Sequence, residues 1–85
     1  MTSAEVLKLV REWSGLGRCV ITQHAAARMY QRHVTHRDVL NALKNAKTCQ
    51  KADGEKWKVG GPDFDGDDLT VVVALESGLV VVTVY

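Results

Sequence analysis

From Thr2 to Trp13 the chain places Val6, Leu7, Leu9, Val10 and Trp13 on one side of a helical wheel, the 3.6-residue period of an amphipathic helix. Thr2 stands three residues before Glu5, the spacing at which an N-cap hydroxyl and an N3 carboxylate each accept the other's backbone N–H. A helix is therefore expected to start at this point. Gly15 and Gly17 end it, and Arg18–Ile21 reads as a very short strand or an extended link. Thr22 can cap a second helix, from Gln23 to about Arg32, and Thr35 can cap a third, from His36 to about Asn45, with Asp38 completing its box.

After Ala46 the helical period gives way to alternation and β-branched runs. Thr48–Ala52, an Asp53-Gly54 turn and Glu55–Val59 read as a hairpin, which Gly60, Gly61 and Pro62 are expected to break. Leu69–Leu75 (LTVVVAL) and Leu79–Tyr85 (LVVVTVY) predict two central strands, joined tightly by Glu76-Ser77-Gly78. Valine at almost every position implies burial on both faces, or on one face with a helix packed over it. The fold class expected is α+β: N-terminal helices on a four-stranded, mainly antiparallel sheet.

Eighty-five residues, 46% hydrophobic and 25% charged, fit one small globular domain spanning 1–85. No apolar run reaches the eighteen or so residues of a membrane span, and the N-terminus lacks the layout of a signal peptide, so a cytoplasmic protein with no membrane role is expected. Cys19 and Cys49 have no CxxC partner and read as small buried hydrophobes, not as a disulfide.

A net charge of +1 hides an uneven layout. Between Glu12 and Lys51 one acid, Asp38, faces Arg18, Arg28, Arg32, Arg37, Lys44, Lys47 and Lys51, while Asp63, Asp65, Asp67 and Asp68 crowd a later loop. A basic middle suits a polyanion, although a solvated basic helix is the commoner reading of any one such run. The acidic loop does not fit a calcium loop, whose sixth position should be glycine and twelfth glutamate; here they are Asp68 and Ala74. Cys19, His24 and Cys49 match no zinc module, so no metal or other cofactor is expected.

Within the second helix His24, Arg28 and Arg32 lie at about 0°, 40° and 80°, and Ala25, Ala26 and Met29 between about 100° and 200°. The small apolar side can rest on a sheet, leaving an imidazole and two guanidiniums stacked along the neighbouring edge. A histidine moves protons near neutral pH, and an arginine offers a planar fork of donors to two phosphate oxygens. The alternative is structural: His24 packs near the helix start and the arginines form surface ion pairs. His33 falls on the apolar side near the helix end and is expected to be structural, and His36 to be exposed.

The stretch T-x-H-A-x-x-R-M-x-x-R-x-V-T-x-x-D-V, from Thr22 to Val39, resembles the bacterial domain family DUF4258, and the final VVTVY fits it too. The likeness runs from about Val20 to Tyr85, leaving residues 1–17 as an added N-terminal helix that completes the core, or meets a second copy to form a homodimer, or meets an antitoxin. That family in turn is similar to the RelE/ParE-like toxins, which implies a RelE-like arrangement and a metal-independent ribonuclease in a toxin–antitoxin context. On this resemblance His24, Arg28 and Arg32 are the catalytic candidates. Arg18, Arg37, Lys56, Lys58 and Tyr85 are candidates to bind RNA, with the last three facing the site across the sheet. Trp57 alternates with both lysines and is expected in the core. The rival expectation is a non-catalytic module that binds nucleic acid or protein through the same basic face.

Overall fold

The computed structural model describes residues 1–85. Helix α1 (Ser3–Gly15) is capped by Thr2 and Glu5, each accepting the other's backbone N–H at 3.2 and 2.8 Å. Its end is a Schellman closure, in which Arg18 N donates to Trp13 O at 2.9 Å and Gly17 N to Ser14 O at 3.2 Å, with Gly17 at φ 74°. Strand β1 (Cys19–Ile21) follows, then α2 (Gln23–Gln31), capped by Thr22, and α3 (His36–Lys44), whose capping box is Thr35 and Asp38.

Helix α2 closes in the same way as α1 but with a different residue in the left-handed position. Val34 N donates to Met29 O at 2.8 Å and His33 N to Tyr30 O at 3.3 Å, and His33 takes φ 56°. His33 is therefore exposed and outside the helix, not on its apolar side as the wheel suggested. The wheel fails because it assumes helical geometry at His33, two residues past the last helical one, where the backbone has already turned left-handed.

The sheet has five strands, not four: β1, then β2 (Thr48–Lys51), β3 (Trp57–Pro62), β4 (Asp68–Leu75) and β5 (Leu79–Val84), in the spatial order β1-β5-β4-β3-β2. Neighbours are antiparallel except β1, which runs parallel to β5 with Cys19 opposite Leu79 and Ile21 opposite Val81. The sheet is accordingly mixed. Leu79 N donating to Arg18 O at 2.8 Å and Thr22 N to Val81 O at 3.1 Å brace the two ends of β1.

Gly60, Gly61 and Pro62 do not break the hairpin; they extend β3. The glycines serve close approach. A Cβ on Gly61 would collide with the Ala42 carbonyl of α3, and one on Gly60 with the Thr48 hydroxyl of β2. Pro62 pairs with Asp68 of β4, whereas β2 ends opposite Gly60, so its missing N–H falls where no strand needs it. The turn before β3 is longer than an Asp53-Gly54 pair, because Glu55 is also left-handed at φ 60° and Ala52 N closes on Lys56 O at 2.8 Å.

All three helices cover one face of the sheet. Val6 and Val10 of α1, Ala25 and Met29 of α2, and Val39, Ala42 and Leu43 of α3 form one core with Trp57, Val59, Leu69, Val71, Val73, Leu79, Val81 and Val84. Trp57 is in the core, as its alternation with the lysines implied. Helix α2 lies over β5, α3 over β3 and β4, and α1 reaches from β2 towards β5. The thirteen residues of α1, about 20 Å at 1.5 Å each, match a sheet roughly 19 Å wide at 4.8 Å per strand spacing. The Arg11 guanidinium donates twice to Ala46 O, at 2.6 and 2.9 Å, and ties α1 to the end of α3. The apolar face of α1 is thus taken up inside the chain. No helix is long and apolar enough to cross a membrane.

Candidate functional site

Two sets of candidate side chains emerge on opposite sides of the sheet. The first is on α2, where Ala25 and Met29 anchor the helix in the core, at 0% and 4% exposure. Thr22 fixes its start: its hydroxyl accepts from Ala25 N at 3.0 Å and donates to Val81 O at 3.0 Å. Beside this anchored face runs the ridge of His24, Arg28 and Arg32, one turn apart. His24 and Arg32 are exposed and Arg28 is half-buried.

Arg28 carries an anomaly: its Nε is sealed from solvent and has no hydrogen-bond partner. A buried donor left unmade costs about 1–3 kcal/mol, more for a charged group, so this nitrogen calls for an acceptor. The nearest acid by sequence is otherwise engaged. Asp38 accepts from Thr35 N at 2.9 Å, the Thr35 hydroxyl at 3.0 Å and Phe64 N at 2.9 Å. Those backbone N–H groups, Thr35's first and then Phe64's, hold the Asp38 carboxyl below its ordinary range.

The second set stands on the helix-free face. Strand alternation turns Lys58, Thr70 and Val72 away from the core, and the register lines them up with Gln50 and Thr48 of β2 on one side and Thr83 of β5 on the other. Tyr85 N donates to Thr70 O at 2.9 Å, which continues β5 by one residue and sets the tyrosine at the end of this face. Two open grooves of about 440 and 420 Å³ lie here and share Gln50, Lys58 and Tyr85. Lys56, half-buried, lines the larger, and Lys58 Nζ sits 5.7 Å from the Tyr85 ring centre.

Arg18 and Arg37 belong to neither set. Arg18 donates to Ser77 O at 2.9 Å and lies 5.6 Å from the Trp13 ring centre, at the α1–β1 junction. Arg37 stacks 4.1 Å over Phe64, whose loop is clamped to α3 by Asp38 and by Asn41 Nδ2, which donates to Pro62 O and Asp63 O at 3.2 and 3.0 Å. His36 is exposed, as expected.

In the acidic loop Asp63 Oδ1 accepts from Asp65 N at 2.9 Å and Asp67 N at 2.8 Å, so Asp63 shapes the turn and is half-buried, while Asp65, Asp67 and Asp68 are exposed. Cys19 and Cys49 are free thiols on the two opposite edge strands. Partial burial raises the pKa of both, which keeps them in the unreactive thiol form.

The expectation that Lys56, Lys58 and Tyr85 face the His24 site is not met: strand alternation sets them on the helix-free face, away from α2, in company the sequence did not show. Thr48, Gln50 and Thr70 join them only through cross-strand register, and the single usable signal was the alternation of Thr48 and Gln50 with Cys49 in the hairpin.

A family model, DUF4258, described as a domain of unknown function, matches residues 21–85. It takes in β1's last residue, α2, α3 and the rest of the sheet, and leaves α1 outside. Neither a curated protein nor a solved structure matches the chain significantly.

Proposed function

The chain belongs to the DUF4258 family, and on that premise we propose that it is a metal-independent endoribonuclease of the toxin type, cutting RNA at the α2 ridge in a toxin–antitoxin setting. One observation carries the reading: the buried, partnerless Nε of Arg28 beside an exposed imidazole and a second, exposed guanidinium. A phosphate oxygen that reached this nitrogen on binding would satisfy it, and the rest of the half-buried guanidinium would offer further donors to the same group.

In such a reaction the ribose 2'-oxygen attacks the adjacent phosphorus and the bond from phosphorus to the 5'-oxygen breaks. The products are a 2',3'-cyclic phosphate and a free 5'-hydroxyl. His24 takes the proton of the attacking hydroxyl or gives one to the leaving 5'-oxygen, with water serving the other transfer. Arg28 and Arg32 hold the phosphate and balance the charge that builds up as five oxygens crowd the phosphorus. Kinship with the RelE/ParE-like toxins, an expectation from the sequence, is part of the same proposal.

The test is direct. His24→Ala is expected to lower the cleavage rate by roughly 10² to 10⁴ with RNA binding little changed, since general acid–base catalysis is worth about that much. Arg28→Ala and Arg32→Ala are expected to lose rate and affinity together, and lysine to restore them only in part. A folded His24→Ala protein with undiminished activity overturns the proposal.

The second reading, a module that holds RNA without cutting it, is favoured by the two grooves that share Lys58 and Tyr85, which lie on the face of the sheet away from His24.

A further inference from the structure

We infer that the helix-free face of the sheet is a docking surface for single-stranded RNA, separate from the α2 ridge. The inference rests on the reading of the chain as an RNA-binding protein, but it does not require cleavage. Three features of the face carry it.

The first is charge. The larger groove is lined by Lys56 and Lys58 against the single carboxylate of Asp53, while Lys51 at its rim shares the Trp57 side of the sheet and holds its ammonium 5.0 Å from that ring. Beside those lysines Thr48, Gln50 and Thr70 offer neutral donors and acceptors, and the next carboxylate, Asp68, stands beyond them opposite Pro62. A cationic floor with uncharged hydrogen-bonding groups beside it is complementary to a phosphate backbone carrying sugars and bases, and poorly so to a mixed-charge protein surface.

The second is the pairing of Lys58 with Tyr85. The tyrosine ring is 47% exposed, and the ammonium lies 5.7 Å from its centre. A nucleotide presents a flat π-face and a phosphate side by side, and this pair presents a ring and a cation side by side. A stacked base uses the face of an unpaired nucleotide, which a duplex keeps covered.

The third is shape. Gly60 stands between Thr48 and Thr70 in the row, and the Thr48 hydroxyl leans into the place its side chain would take, so the floor of the second groove carries hydroxyls with no bulky side chain between them. Behind it Val72 is only 5% exposed although no helix covers this face, so the apolar part of the floor is already screened by its neighbours. Around Lys58 and Tyr85 the accessible groups are polar, cationic and aromatic, with Val82 beside them and exposed Val20 at the far β1 edge of the face.

The experiment is binding of a short unstructured oligouridylate, followed by fluorescence anisotropy over a salt series, alongside an RNA hairpin of the same length. Lys58→Ala is expected to weaken binding and to flatten the log–log salt slope by about 0.7, the contribution of one phosphate contact on a single strand. Tyr85→Ala is expected to weaken it about 5- to 150-fold, the worth of one stacked base, and Tyr85→Phe to retain it. Thermal melting of each variant checks that the fold is intact.

If the oligouridylate binds and only Arg28→Ala and Arg32→Ala release it, this surface is refuted while the ribonuclease proposal stands. Equal affinity for the hairpin refutes the single-strand assignment. If Lys58→Ala and Tyr85→Ala weaken binding to a protein that cleaves nothing, the surface is upheld and the nuclease reading falls. A wild-type chain that binds no oligouridylate refutes the inference outright.

Discussion

The two faces of the sheet are made by the same strands and have different tasks. On β4, Val71 and Val73 point into the helices at 0% exposure, while Val72 between them points the other way. On β3, Trp57 and Val59 enter the core and Lys58 leaves it. The covered face is close-packed and apolar from β5 to β3, with Lys51 of β2 at its rim over Trp57, and the open face is graded from valine on β5 and β4 to lysine, glutamine and threonine on β3 and β2. One face supplies stability and the other is free to vary in chemistry. A run such as LTVVVAL conceals that division, because a valine beside a lysine and a valine beneath a helix read alike.

Substitutions should separate the faces by size of effect. Leu79 is 1% exposed on the covered side of β5, and Leu79→Ala is expected to cost about 2–5 kcal/mol in chemical denaturation, from lost transfer energy and the cavity left behind. A value under about 1 kcal/mol would show that the covered face does not dominate stability. Gly61→Ala should come next, at roughly 1–3 kcal/mol, because its methyl group meets the backbone of Ala42 and not a side chain that can turn aside.

His33 lies on neither face and sets the scale for a purely local effect. Gly17 closes α1 and His33 closes α2 with the same pair of hydrogen bonds, but only glycine enters the left-handed region without strain. His33→Gly is therefore expected to raise stability by about 0.5–1 kcal/mol, read as a higher melting temperature. Acid tests Asp38, which serves the helical layer. Its carboxyl titrates lower in the folded chain than in the unfolded one, so its contribution is complete above the ordinary carboxyl pKa near 4 and is lost as the pH falls through the folded value. The stability gap between wild type and Asp38→Asn should accordingly narrow on acidification below about pH 4 and stay level at neutral pH. The smallest effect is expected on the open face, where Lys58→Ala should change stability by no more than about 0.5 kcal/mol. A large loss there would mean that this face, too, holds the fold together.

What the sequence disclosed follows from the range of each interaction. Both capping boxes, Thr2 with Glu5 and Thr35 with Asp38, act over three residues and were legible, as were the helices they start. Strand β1 was legible only in part: Arg18–Ile21 read as a very short strand or a link, but its place in the sheet did not, because its partner β5 is far along the chain. Gly60 and Gly61 were misread as breakers, since in one dimension a glycine needed for close packing looks like a glycine needed for a turn. The same limit applies to the candidate site. The spacing of His24, Arg28 and Arg32 on one helix could be read directly, whereas the meeting of Lys58, Gln50 and Tyr85 depends on the register of three strands.

The parallel pairing of β1 with β5 also bears on the order in which the chain can acquire its structure. Thr22 donates its hydroxyl to an oxygen 59 residues away, and the strand it ends has no other partner. Closing a loop of that length costs chain entropy before any contact returns it, whereas β2–β3, β3–β4 and β4–β5 close through short connections. The meander of β2 to β5 should therefore assemble early and the β1 seam late. In kinetic terms, a variant that weakens the seam, such as Ile21→Ala, should speed unfolding and leave the folding rate almost unchanged, whereas Val71→Ala, at the centre of the meander, should slow folding itself.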